Sequence, residues 1–148
     1  MKLNHNIGIT LGDPSGDGHG LYKDYHIVSN YSSKEISEVY DNLSKELEWD
    51  FAEECCNHQE QFLSEKGQQQ LLKFGILTES DIEASKLEWY GNEGTESYTY
   101  VIHDGSEFID IFFKLVKTKI PNLEWEYREL DEEIIYQLDG AGYGLYSL

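Results

Sequence analysis

The sequence predicts an α+β fold, a single domain over residues 1–148 in which a mainly antiparallel sheet carries three to four helices on one face. Three features lead there. Two runs rich in β-branched and aromatic residues open the chain, capped segments with helical spacing fill its middle, and alternating or glycine-rich strand patterns close it. A chain of 148 residues suits one domain with a real core, and no low-complexity linker divides it.

The elements follow in order. "NIGITL" at 6–11 and "LYKDYHIVS" at 21–29 read as strands around a long loop, a hairpin. The period then changes: Ser32 with Glu35 makes a capping box, and Ile36, Val39, Tyr40, Leu43 and Leu47 fall at helical spacing. The helical pattern continues raggedly through Cys55 and Cys56. "KGQQQLLKFGI" predicts a short helix closed by Gly75, and Thr78 with Asp81 starts another.

"SYTYVIHDG" alternates as a strand, and Ser106 is the expected N-cap of an apolar helix whose lysines at 114, 117 and 119 precede the stop at Pro121. "NLEWEYREL" alternates Leu123, Trp125 and Tyr127 with Glu124, Glu126 and Arg128, as a strand with one wet face does. "DEEIIYQL" fits a short helix or strand. "DGAGYGLYSL" predicts a glycine-rich final strand, which would border the 11–20 loop if it paired beside the first hairpin.

Charge limits the function. The chain has 11 Lys+Arg against 29 Asp+Glu, a formal net charge of −18, which disfavours direct binding to nucleic acid or to an anionic membrane surface. Adjacent cysteines do not easily close a normal disulfide, so a reducing, cytoplasmic setting is expected. The start lacks an apolar leader pattern, and no long apolar run suggests a membrane span. No nucleophile signature stands out, since G-x-S-x-G and H-E-x-x-H are both absent.

The loop "LGDPSGDGHG" at 11–20 is the candidate ligand or metal site, through Asp13, Asp17 and His19, and carries the alternative reading of a small-ligand- or metal-binding protein or a metal-dependent enzyme. Asp13, Ser15, Asp17, Gly18 and Asp24 align with calcium-loop positions, but Gly20 replaces the usual apolar residue and position twelve is not glutamate. A histidine with two carboxylates also suits a transition metal. The phosphate-loop pattern fails because no lysine follows the glycines. Ordinary turn chemistry explains the same residues, so no cofactor is expected, with a divalent metal at residues 13–19 as the alternative.

The acidic-aromatic clusters point to a protein partner. Glu48, Trp49, Asp50, Glu53 and Glu54 form the first; Trp89 and Tyr90 belong to the second; Glu124, Trp125, Glu126 and Glu129 form the third. Carboxylates can occupy a basic groove in place of phosphates, while aromatic rings supply contact area at low entropy cost. The expected function is a non-enzymatic inhibitor, immunity-protein-like or resembling a phage antagonist. Its expected partner is a basic protein such as a nucleic-acid-processing enzyme or toxin.

Overall fold

The computed structural model describes residues 2–11, 23–57, 62–91, 98–102, 104–138 and 144–148. Strands β1 (His5–Leu11) and β2 (Lys23–Ser29) form the predicted antiparallel pair, with Ile7 opposite Ile27 and Ile9 opposite Tyr25. Strand β3 (Trp125–Arg128) pairs with β2, and β4 (Gly144–Ser147) pairs with β1. The sheet is wholly antiparallel in the order β3-β2-β1-β4. The last strand therefore lies beside the hairpin.

Helix α1 (Ser33–Leu47) begins at the predicted capping box: Ser32 Oγ accepts from the Glu35 N–H, and the Glu35 carboxylate accepts from the Ser32 N–H. These bonds satisfy amides that a helix start leaves without intrahelical partners. Helix α2 (Phe51–Asn57) includes both cysteines in its backbone. Helices α3 (Glu65–Lys73) and α4 (Glu79–Tyr90) follow, the second with its Thr78–Asp81 box formed as expected.

Helix α5 (Gly105–Lys117) is the central one. Phe108, Ile109, Ile111, Phe112, Phe113, Leu115 and Val116 are all buried, so it is apolar around most of its circumference, as an interior helix must be. It packs with α1 over Ile7, Ile9, Leu11 and Ile27 of the sheet. Phe113 stacks on Trp125 at a centroid distance of 5.2 Å, and Phe108 stacks on Phe51 at 4.9 Å.

Two boundaries differ from the sequence expectation. Helix α5 is capped by Asp104, not Ser106: the Asp104 carboxylate accepts from the Glu107 N–H at 3.0 Å and from Ser106 Oγ at 2.5 Å. Of the expected strand at 97–105, the described residues contribute only an isolated bridge, Val101 to Phe62, and do not join the sheet. Its backbone finds other partners. Tyr100 N–H donates to Gln68 Oε1, Val101 N–H donates to Ser85 Oγ, and Tyr100 O accepts from Leu63 N–H. Satisfied this way, the segment needs no ladder.

Helix α6 (Glu132–Leu138) resolves the ambiguous "DEEIIYQL" as helical and adds cover to the opposite face of the sheet. Gly8 points to that face, where a Cβ would lie 2.7 Å from Leu138 Cδ2 and 3.0 Å from Leu148 Cδ2. A larger residue there would push both leucine side chains aside. Among the described residues, four helices have nine or more residues and two have seven. No helix among them is long and apolar enough to cross a membrane.

Candidate functional site

A cavity of about 550 Å³ opens where α1 and α2 meet the ends of β1 and β4. Its floor is apolar, from Ile9 and Leu11 of β1, Phe108 and Phe112 of α5, and Leu145 of β4. Its described acidic side chains are Asp41, Asp50 and Glu53, and no described lysine or arginine lines it. The size lies within the roughly 300–1,000 Å³ range of small-ligand pockets.

The chain makes this corner by an unusual turn. Glu48 adopts the left-handed conformation, φ 51° and ψ 38°, at the end of α1. Most side chains disfavour that region, and helices commonly place glycine there. The reversal lets Trp49 N–H reach Ser44 O at 3.1 Å, while Lys66 Nζ donates to Glu48 O at 2.8 Å. Trp49 is turned inward and Asp50 is left at the mouth of α2.

Tyr40 secures the corner. Its hydroxyl donates to Asp50 Oδ1 at 2.7 Å and accepts from Ala52 N–H at 2.9 Å, while its ring packs on Phe112 at 4.5 Å. Asp50 Oδ1 also accepts from Glu53 N–H at 3.2 Å. Asp41 and Glu53 are exposed. The cavity thus combines an aromatic and aliphatic floor with carboxylates, an arrangement that favours an apolar group carrying positive charge.

The predicted contact residues separate into different roles. Glu48, Asp50 and Glu53 are gathered at the α1–α2 corner, with Asp50 and Glu53 lining the cavity. Trp49, expected on the contact surface, lies in the core: it is only 9% exposed, packs on Phe51 at 5.8 Å, and crowds Gly67. Glu54 is half-buried, and its Oε2 crowds Gly67 as well. Trp125 is likewise turned inward, on the core face against Phe113.

The other described positions do not join the cavity. Trp89 is 51% exposed at the end of α4, whereas Tyr90 stacks on Tyr98 at 4.0 Å. Glu124 and Glu129 are exposed, and Glu126 pairs with Arg128 at 2.8 Å. Asp13, Asp17 and His19 lie outside the described residues. Among the described residues, no group of three or more His, Cys, Asp or Glu is placed to hold a metal ion.

Sequence reasoning missed Asp41 as a rim residue and did not connect Tyr40, Phe108 and Phe112 with a site. Helical spacing marks Tyr40 as inward-facing but carries no information about a cavity between elements. A second polar network lies near the start of α5. Tyr127 Oη lies 2.9 Å from Asp110 Oδ1 and 3.0 Å from Ser106 O, and Tyr100 Oη donates to Glu107. Burial first, then the hydrogen bond to Asp110, raises the Tyr127 pKa; burial and the bond to Glu107 do the same for Tyr100.

No protein-family model, curated protein or solved structure matches this chain.

Proposed function

We propose that this protein is a non-enzymatic acidic binding protein, an inhibitor in the manner of an immunity protein or phage antagonist, which occupies a basic site on a partner protein. The observation supporting this reading is the placement of Asp41, Asp50 and Glu53 around one cavity that no described lysine or arginine lines. The net charge of −18 extends the attraction beyond that corner. A nucleic-acid-processing enzyme or toxin supplies a basic surface of the required kind.

The test begins with the partner recovered from the native host, followed by titration of the purified pair from about 50 mM to about 500 mM salt. The expected result is a progressive loss of affinity, mainly through slower association. Affinity unchanged across that range rejects the electrostatic reading.

A second reading assigns a small ligand or divalent metal to Asp13, Asp17 and His19. Leu11, the last described residue before that segment, favours it by lining the cavity. Metal analysis of the purified protein and replacement of all three residues by alanine test it. Absence of bound metal together with unchanged ligand binding removes it.

A further inference from the structure

The α1–α2 cavity has two surfaces that call for one occupant. A small hydrated cation would gain little from a floor of Ile9, Leu11, Phe108 and Phe112, while a wholly apolar ligand would bring Asp41 and Glu53 toward a drier mouth without compensation. Asp50 already uses Oδ1 to hold Tyr40 and the Glu53 amide. Asp41 and Glu53 are exposed, and neither forms an ion pair among the described residues.

We infer that this cavity receives an arginine side chain and its apolar neighbour from a short segment of the partner protein. The source of that segment rests on the acidic-binder reading; the chemistry rests on the cavity. Arginine fits better than lysine because its planar guanidinium is less strongly hydrated, stacks on aromatic faces and meets carboxylates through paired donors. Phe108 and Phe112 supply aromatic surface, while Asp41 and Glu53 supply acceptors. A volume of about 550 Å³ exceeds the needs of a single side chain and leaves room for an apolar neighbour.

The experiment uses the full chain and a fluorescein-labelled, end-blocked hexapeptide containing adjacent leucine and arginine. Control peptides replace arginine by citrulline, which keeps the shape and removes the charge, or leucine by glycine. Fluorescence anisotropy is measured for the parent protein and for Asp41→Asn/Glu53→Gln, whose altered side chains are exposed. Circular dichroism checks that the variant folds.

The expected result is measurable binding of the leucine–arginine peptide, weakened about tenfold by citrulline and by the double substitution. Glycine in place of leucine weakens it as well. Equal binding of arginine and citrulline, indifference to the double substitution, or no binding up to about 1 mM overturns the inference. Equally tight binding of free phenethylammonium assigns the cavity to a small amine and overturns the partner-protein source. Self-association abolished by Arg128→Gln assigns it to a second copy and overturns that source too.

The two proposals fail differently. Partner binding that weakens with salt but ignores the double substitution leaves the acidic-binder reading standing and removes the arginine pocket. Arginine-dependent peptide binding combined with salt-independent partner binding does the reverse for the chemistry of the cavity.

Discussion

Replacing Tyr40 by phenylalanine removes one oxygen from the corner that shapes the cavity. The ring and its packing on Phe112 remain, so no large-to-small cavity cost enters. The bonds lost include one to the Asp50 carboxylate at 2.7 Å and one from the Ala52 amide at 2.9 Å. A hydrogen bond to a charged group contributes about 1.5–3 kcal/mol and a neutral one about 0.5–1.5 kcal/mol. Water at the open rim recovers part of this, leaving an expected loss of about 2 kcal/mol.

For a chain of this size that loss lowers Tm by about 4–8 °C, at about 2–4 °C per kcal/mol. Urea denaturation measures the free energy, and hydrogen exchange at the start of α2 locates the weakening. A double-mutant cycle with Asp50→Ala isolates the contact, with an expected coupling of about 1 kcal/mol. A loss below about 0.5 kcal/mol, with additive effects in the cycle, refutes the role assigned to the Tyr40 hydroxyl.

Gly8→Val introduces branched bulk where Leu138 and Leu148 already approach, and overpacking of this kind costs about 1–3 kcal/mol; denaturation should show the loss and exchange should rise in α6. Ser32→Ala removes the α1 cap at a cost of about 1 kcal/mol, measurable by urea unfolding. The cap also lowers the Glu35 pKa, first through the Ser32 backbone and then its side chain, so its stabilising effect is present above the unfolded value of 4.5 and fades as pH falls through the lower folded value. Acid unfolding of the Ser32→Ala protein should therefore depend less on pH in that window. Tyr100 and Tyr127 have pKa values raised from 10.0, so their contribution is complete below pH 10.0 and is lost as pH rises through the folded values; absorbance titration in the tyrosinate band should show part of the tyrosine signal appearing only well above pH 10.0.

The two capping boxes at Ser32–Glu35 and Thr78–Asp81 were legible because each is closed within one turn. The apolar spacing of α5 was equally legible, although its cap lies two residues earlier at Asp104, whose carboxylate accepts from both the Glu107 amide and Ser106 Oγ. The 98–102 segment was misread because its alternation is real but its hydrogen-bond partners come from distant helices. The same limit applies to the site. Asp50 and Glu53 were visible as acidic residues beside aromatics, but Asp41 and the Phe108–Phe112 floor come together only through packing.

By itself, the sequence determined the fold class, the strand and helix character of most segments, and the excess of carboxylates, because composition, caps and periodicity are local properties. The tertiary structure alone decided the strand order, the passage of α6 over the opposite face, and the inward turn of Trp49 through a left-handed Glu48. It also made the cavity. Those outcomes depend on contacts between residues far apart in the chain, whose burial outweighs local preference at a few positions such as Glu48.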